Sequence, residues 1–460
     1  MKQQRKLFGT DGIRGIANRD PVTPENAFRL GGALTAFLKS SDSSASAEPL
    51  RIIVGRDPRR SGEMLEAALV AGLMAAGTNV LLTGVLPTPG VALLTREEKA
   101  AAGIVISASH NPAEDNGLKL FRGDGTKFDD AAESKIETLM SQSPTESDRP
   151  IGARIGKTTI LTTAKERYIA ACKKTVPSLS LAGWKIALDM ANGAASHTTP
   201  QLLQELGATI HLSHATPDGM NINQACGSTH GEEISRLVLQ AGAQLGLAHD
   251  GDADRLLLCD EEGNLVDGDE LLAMIGLAAL RAGTLKNKTL VATVMSNFGL
   301  DETLAAAGGK VLRTPVGDRY VMEAMLQGDF NIGGEQSGHL IFRDHSSTGD
   351  GLVAALQILQ LMQETKKPLS LLRHCLKKYP QAQQNLRVRE KKSLEELRSM
   401  IPLIGQTEKE LEGQGRVLLR YSGTEPLLRL LVEGKDSVKI QSHCDALAAA
   451  LGRAIGTPSI

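Results

Sequence analysis

The chain has 460 residues, a formal net charge of -2 and a pI near 6.6, which excludes the whole-chain basic excess that draws proteins to nucleic acid or anionic membranes. Aromatic residues are 3% of the chain, with one Trp, so stacking platforms for single-stranded nucleic acid are poorly supplied. The cysteines, Cys172, Cys226, Cys259, Cys375 and Cys444, are far apart and form no CxxC pair, which fits a reducing compartment and argues against a zinc site.

Met1 to Lys6 runs into Leu7 and Phe8 without the apolar core of a signal peptide, and no stretch is long and apolar enough to span a bilayer. The expectation is a cytoplasmic chain without membrane or nucleic-acid partners. At roughly 150 residues per domain it holds about three units, or four smaller ones. Phe8 to Gly15 packs three glycines and Arg14 into eight residues, the makings of a loop that brings amides and a guanidinium to an anion. Helix Pro24 to Leu38 leads to a Ser/Ala-rich exposed loop, Ser40 to Pro49. Strand Arg51 to Gly55, a helix capped by Ser61 and running to Gly77, strand Asn79 to Thr83, a turn at Pro87 to Pro89 and a strand from Gly103 to Ile106 follow.

After the polar segment Gln142 to Pro150 the alternation restarts. Strand Lys185 to Asp189, helix Thr199 to Gly207, strand Thr209 to Ser213, helix Glu232 to Ala241 and strand Leu245 to Ala248 make the second series. The third runs through strand Leu265 to Val266, helix Glu270 to Arg281, strand Thr289 to Val294, helix Leu300 to Ala307, strand Lys310 to Thr314, helix Arg319 to Gln327 and strand Asn331 to Gly333. This order predicts three similar mixed-sheet α/β domains. From about Leu371 the pattern changes to helix Leu394 to Ile401, strands Arg416 to Tyr421 and Leu427 to Glu433, and helix Ser437 to Ile455, a smaller C-terminal α+β domain.

Four polar stretches carry chemistry. Ser107, Ala108, Ser109, His110, Asn111 and Pro112 lie at the carboxyl end of a buried strand, where open α/β sheets present ligand-binding loops. Either serine is a candidate nucleophile, against the ordinary use of serine as a cap or turn former. His249 to Arg255 places Asp250, Asp252 and Asp254 on alternate residues, a cluster of like charge that is costly without a cation. An EF-hand reading fails, because Arg255 stands where that loop needs glycine. Mg²⁺ suits hard oxygen ligands in a site short of a full protein cage. Gly333 to His339 sets Glu335, Ser337 and His339 in a Gly-rich loop that suits sugar hydroxyls or an amine, and equally a plain hairpin. Arg420 to Arg429 joins two strands through Ser422, Gly423 and Thr424 between two guanidiniums, the groups that bind phosphate.

A serine loop, a three-aspartate loop, a polar Gly-rich loop and an Arg/Ser/Thr loop, in this order along the chain, resemble the α-D-phosphohexomutase family. Within it, Phe-Gly-Thr-Asp-Gly-Ile-Arg-Gly at Phe8 and Gly-Glu-Gln-Ser-Gly-His at Gly334 look like the branch acting on glucosamine phosphates. The resemblance implies four domains around a central cleft: 1–158 with the phosphoserine loop, 159–258 with the metal loop, 259–370 with the sugar loop and 371–460 with the phosphate loop. It implies that Ser109 carries a phosphoryl group, and that Asp250, Asp252 and Asp254 hold one Mg²⁺ with a phosphoserine oxygen. Glu335, Ser337 and His339 would contact the sugar, and Arg420, Ser422, Gly423, Thr424 and Arg429 the distal phosphate. Arg14, Lys119, Arg255 and His339 fall where the family has electrostatic or proton-transfer roles, with His339 and Lys119 both open as general base.

The implied reaction interconverts glucosamine 6-phosphate and glucosamine 1-phosphate through glucosamine 1,6-bisphosphate, supplying UDP-N-acetylglucosamine synthesis. The rivals are a glucose- or mannose-phosphate mutase of the same family and a non-catalytic phosphosugar-binding regulator. A Ser-His-Asp hydrolase is disfavoured, since neither serine sits in a GxSxG elbow. Homo-oligomerisation is left open. The chain departs from the family pattern in having His249 before the first aspartate, where Phe is usual, and Ala253 between the last two, where Gly is usual. Ala253 is small enough to serve if its backbone needs no positive φ.

Overall fold

Seven strands build the first sheet: β1 (Phe8–Gly9), β2 (Gly12–Ile16), β3 (Arg51–Arg56), β4 (Asn79–Val85), β5 (Ala102–Ile106), β6 (Asp115–Arg122) and β7 (Thr158–Ile160). Their order is β1-β2-β6-β5-β3-β4-β7, with β3 parallel to β4 and β5, and β6 antiparallel to β5. The apolar runs Ile52 to Val54 and Ile104 to Ile106 are wholly buried, as expected of parallel strands covered on both faces. Helices Pro24–Ser41 and Arg60–Ala75 pack on this core. They meet backbone to backbone, since a Cβ on Gly72 would lie 2.0 Å from the Phe28 carbonyl oxygen. The computed structural model describes residues 7–9, 11–41, 49–142, 149–422 and 426–456.

The second sheet holds β8 (Lys185–Asp189), β9 (Thr209–Ser213), β10 (Leu245–His249), β11 (Leu256–Asp260) and β12 (Leu265–Val266), in the order β12-β11-β10-β8-β9. The third holds β13 (Thr289–Thr293), β14 (Lys310–Thr314), β15 (Ile332–Gly334) and β16 (Leu340–Phe342), in the order β14-β13-β15-β16. Both are mixed, as predicted: β8 pairs in parallel with β9 and β10, β13 with β14 and β15, and β11 and β16 return antiparallel. These three sheets belong to one compact unit. A second unit comprises Ser296–Ala307 and the chain from Leu376 onward. Its antiparallel sheet, β17 (Gln381–Arg387), β18 (Gly415–Tyr421) and β19 (Leu427–Gly434), has the order β17-β19-β18 and packs with helix Ser437–Ile455 around Leu419, Leu430 and Leu447. No helix among the described residues is long and apolar enough to cross a membrane.

Several local expectations are corrected. The Phe8 to Gly15 stretch forms strands β1 and β2, because its backbone groups find a partner in β6 that no local pattern announces. Pro87 to Pro89 is the start of helix Thr88–Glu97, with Pro89 in its first turn, where the missing N–H costs nothing. Ser61 caps nothing: it lies inside helix Arg60–Ala75 and accepts a bond from Asn116 Nδ2 at 2.9 Å. Residues 42–48 of the expected Ser40 to Pro49 loop lie outside the described residues, and the preceding helix runs on to Ser41. Strand β7, which starts at 158, pairs with β4 of the first sheet, and helix Gly299–Ala306 falls in the second compact unit.

Helix Gly351–Thr365 starts at Asp350, whose Oδ1 accepts the amides of Leu352 and Val353, both at 3.0 Å, and the hydroxyl of Tyr168 at 2.9 Å. Burial pushes the Asp350 carboxyl up to about 6. The folded protein therefore holds a proton between the ordinary aspartate range and pH 6 that the unfolded chain has released. The associated stability is present below about pH 4 and is lost as pH rises through 6, a change of about 3 kcal/mol. In Asp350→Asn an amide oxygen can accept the same three bonds without charge. Thermal unfolding from pH 4 to 8 is expected to show a variant that gains on the wild type as pH rises, and parallel pH profiles would show that Asp350 is not the titrating group.

Candidate active site

In each of the three α/β sheets one loop joins the last parallel strand to an antiparallel neighbour: 107–114 between β5 and β6, 250–255 between β10 and β11, and 335–339 between β15 and β16. This shared connection places three of the four sequence motifs at carboxyl ends of parallel strands, where ligands of α/β sheets bind. The first two loops meet. Ser109 Oγ donates to Asp250 Oδ2 at 2.5 Å, and Ser109 is only 2% exposed. Ser107 is committed elsewhere: its hydroxyl donates to Asp57 Oδ2 at 2.6 Å and accepts the Ser109 amide at 2.9 Å. Of the two serines, Ser109 is the one facing the carboxylates.

Asp250, Asp252 and Asp254 are buried, each with a carboxylate oxygen within 4.8 Å of the others. Asp252 Oδ2 accepts Lys119 Nζ at 2.7 Å and Thr88 Oγ1 at 2.6 Å, while Asp252 Oδ1 and Asp254 Oδ1 are buried and have no hydrogen-bond partner among the described residues. Burial, then Asp254 and Asp252, pushes the Asp250 carboxyl up to about 8. For Asp254 burial acts upward too, but Lys119 and His339 outweigh it and hold the group well below the usual range. Buried anionic oxygens without a hydrogen bond are the donor set a hard divalent cation completes. Ala253 takes φ 58, so the positive φ that would favour glycine is required after all. The strain, about 1–2 kcal/mol, is held by the Ala253 amide to Asp250 O at 3.1 Å and by Gly351 N to Ala253 O at 3.1 Å. His249, in place of the usual Phe, is fully buried with Nδ1 2.9 Å from Arg255 O and Nε2 3.1 Å from Thr199 Oγ1. Burial pushes its imidazole down to about 4, so it is a neutral core residue.

Lys119, on β6, is 1% exposed and lies 3.4 Å from Asp11, 2.7 Å from Asp252 and 3.4 Å from Asp254. Burial works against its charge, but the three carboxylates overcome it and raise its pKa. From Asp11 the charges continue: Lys127 lies 2.5 Å from Asp11 and from Asp318, and His339 Nε2 3.4 Å from Asp318, with Nδ1 3.6 Å from Asp254. Asp11, Lys127, Asp318, His339, Asp254 and Lys119 thus close a ring of alternating acids and bases through the three α/β domains. Arg14 joins it through Asp11, and Arg255 Nε stands 3.9 Å from Asp254. His339 Nε2 also accepts the Gly349 amide at 3.1 Å, which keeps a lone pair there while the carboxylates favour the cation. His110, whose Nδ1 is 3.4 Å from Ser109 Oγ, is pushed down to about 4 by burial, then by Arg255 and Arg14.

Glu335 is mostly buried, its Oε1 accepting Gly317 N at 3.1 Å, whereas Ser337 is exposed at the loop tip. Burial raises the Glu335 carboxyl, with His339 acting in the opposite direction. The fourth motif lies in the second unit. There Arg420 and Arg429 face each other directly across β18 and β19, which sets two guanidiniums side by side, the groups that bind phosphate. Buried Ser422 accepts Lys391 Nζ on its carbonyl at 2.8 Å, adding a cation at the strand end. Gly423 and Thr424 lie outside the described residues. Sequence reading missed Thr88, Lys127, Asp318, Arg59 and Asn223 as site residues. The one local signal was the charged run Gly-Arg-Asp-Pro-Arg-Arg around Arg59.

Four models of phosphoglucomutase/phosphomannomutase domains match the chain: α/β/α domain I over 5–146, domain II over 166–263, domain III over 267–379 and the C-terminal domain over 384–450. A phosphoglucosamine mutase of Pelobacter propionicus is 48% identical over 453 residues, 98% of this chain and 99% of its own. Among solved structures, a phosphoglucomutase/phosphomannomutase family protein of Burkholderia thailandensis superposes with a TM-score of 0.79 at 21% identity, covering 98% of this chain and 99% of its own. An N-acetylphosphoglucosamine mutase of Aspergillus fumigatus, solved with GlcNAc-6P and magnesium, gives 0.67 at 16%, covering 98% and 96%. With four domain models in order and a full-length relative far above the identity at which families diverge, the chain belongs to the phosphoglucosamine mutases of the α-D-phosphohexomutase family, a family of isomerases.

Proposed function

We propose that the protein interconverts glucosamine 6-phosphate and glucosamine 1-phosphate through a Ser109-phosphorylated form and a glucosamine 1,6-bisphosphate that stays bound, supplying UDP-N-acetylglucosamine synthesis in the cytoplasm. The observation that carries this reading is Ser109 Oγ at 2.5 Å from Asp250, beside two buried carboxylate oxygens without partners. In the first half-reaction the bond from phosphorus to Ser109 Oγ breaks as one forms to the sugar's free hydroxyl, and that hydroxyl's proton leaves to a base. After the bisphosphate turns around, Ser109 Oγ takes back the other phosphoryl group. Lys119, whose charged form three carboxylates favour, suits charge compensation on the transferring group, with Arg14 nearby. His339 and Lys119 both stand as candidates for that base; at His339, protonation at Nε2 would break the bond from Gly349 N. Asp250, Asp252 and Asp254 would hold one Mg²⁺, which supplies charge compensation when bound. Glu335 and Ser337 bind the sugar.

Mass spectrometry of the purified protein tests the carrier, and turnover of glucosamine, glucose and mannose 1-phosphates tests the substrate. A phosphoryl group on Ser109 and a preference for the amino sugar are expected. An unphosphorylated, inactive protein would favour a phosphosugar-binding regulator, and faster turnover of glucose or mannose phosphate the other mutases.

Arg420, Ser422 and Arg429, with Gly423 and Thr424, hold the phosphate that is not being transferred. Because either end of the sugar must be accepted in turn, this group recognises phosphate rather than sugar. Arg429→Ala removes one or more charge-assisted bonds of about 1.5–3 kcal/mol each, so KM is expected to rise about 10- to 100-fold. Free glucosamine 1,6-bisphosphate should also accumulate, with loss of phosphoserine in step, when the phosphorylated variant meets glucosamine 6-phosphate. A wild-type KM without extra leakage would assign Arg429 to the surface.

A further inference from the structure

Ser109 takes φ 52, a left-handed conformation that costs a non-glycine residue about 1–2 kcal/mol and persists only where its surroundings over-determine it. Two side chains from different domains supply that constraint. Arg59, fully buried in the first domain, donates through Nη2 to the carbonyls of Ser109 at 2.9 Å and Asn111 at 2.8 Å, and through Nη1 to Pro112 O and Asp115 O. Its Nε pairs with Asp57 at 2.9 Å, the carboxylate that also holds Ser107. Asn223 comes from the second domain, the one that carries the three aspartates. Its Nδ2 donates to Ser109 O at 2.8 Å and to Asn111 O at 3.0 Å. The Ser109 carbonyl therefore accepts one N–H from each domain.

The arm bearing Asn223 is itself anchored to the end of β8. Asn223 N donates to Ala191 O at 2.9 Å, and Asp189 Oδ2 accepts the amide of Gly227 at 2.8 Å. The aspartate loop also leans on the same carbonyl, since a Cβ on Gly251 would sit 2.6 Å from Ser109 O. A planar trans peptide points its C=O and the following N–H in opposite directions. With the Ser109 carbonyl turned to Arg59 and Asn223, the His110 amide faces the other way.

We propose that Asn223 is a positioning residue that, with Arg59 on the opposite side, fixes the backbone of Ser109 relative to the aspartate loop of the neighbouring domain, so that nucleophile and carboxylates keep one geometry through both half-reactions. This rests on Ser109 as the phosphoryl carrier. Asn223 itself does not touch the reacting atoms. Its contribution lies in alignment, where a displacement of about 1 Å costs on the order of 100-fold in rate.

The test is Asn223→Asp, nearly identical in shape but without the donating N–H₂. Protein phosphorylated at Ser109 is mixed with glucosamine 6-phosphate, and phosphoryl transfer is followed in a single turnover beside steady-state kcat and KM. Transfer and kcat are expected to fall about 10- to 100-fold, with KM within about threefold of wild type. A folded Asn223→Asp protein that transfers at the wild-type rate overturns the proposal, as does a rise in KM with kcat unchanged. If Asn223→Asp does not fold, Asn223→Ala, which introduces no charge beside the carbonyls, is measured in its place against the same two outcomes. Wild-type protein that carries no phosphoryl group on Ser109 sinks the carrier reading, a result distinguishable from normal transfer in the variant.

Discussion

Ser109→Ala protein is expected to fold normally and to show no mutase turnover, a loss on the order of 10³-fold or more for removal of a covalent nucleophile. The folding cost is small because, among the described residues, the hydroxyl's hydrogen bonds are to the Asp250 carboxylate, at 2.5 Å, and His110, at 3.4 Å. Losing one bond to a carboxylate costs about 1.5–3 kcal/mol when the carboxylate stays charged. Asp250, pushed up to about 8 by burial and its two acidic neighbours, can be protonated instead. Ser107 does not take over, since its oxygen is used by Asp57 and the Ser109 amide. Activity, thermal unfolding and phosphopeptide mass spectrometry of the variant make the check. Substantial turnover with phosphate found on Ser107 would mean that the loop rearranges and that the structure favours the wrong serine.

Chelation should be nearly as damaging. Stripping divalent cations is expected to bring turnover to background, and Mg²⁺ to restore it and raise the unfolding midpoint. The reason is the charge within the aspartate loop. Lys119 is divided among Asp11, Asp252 and Asp254, and Asp252 Oδ1 and Asp254 Oδ1 have no hydrogen-bond partner. A phosphoryl group on Ser109 adds about -1.5 to -2 charge beside them, so phosphorylated protein should bind Mg²⁺ more tightly than unphosphorylated protein. Calorimetric titration of the two forms measures the difference. Equal affinities would place the cation away from Ser109, and full activity in chelator would remove it from the reaction.

The elements legible in the sequence were those whose burial follows from their own pattern. β8, β9, β12, β14 and helix Ser437–Ile455 match the predicted limits residue for residue, the strands being short alternating or apolar runs and the helix a long one with its apolar residues on one side. The three aspartates and the loop of Ser107 and Ser109 were legible too as candidates, since a crowded carboxylate cluster and a polar loop after a buried strand are costly or conspicuous in any fold. β2, β6 and β17 were not. Arg14, Lys119, Gln383 and Asn385 interrupt their apolar character, and what makes them strands is ladder pairing with distant segments. The helix after Pro87 was hidden behind its own proline.

Only the tertiary structure decided what surrounds those residues. The partners of Lys119 are visible only in three dimensions, because Asp11, Asp252 and Asp254, from 108 residues before it to 135 after it, close around its ammonium. Asp318 and Lys127 meet across 191 positions of chain. Arg59 and Asn223, 164 positions apart, end on the same carbonyl. Local propensity and periodicity act over a few residues, so they determine which segments become strands, helices and loops. Charge compensation and backbone hydrogen bonding act through space, and in this protein the placing of Ser109 beside Asp250, the carboxylates around Lys119 and the bonds that hold the left-handed turn at Ser109 exist only once distant segments are packed together.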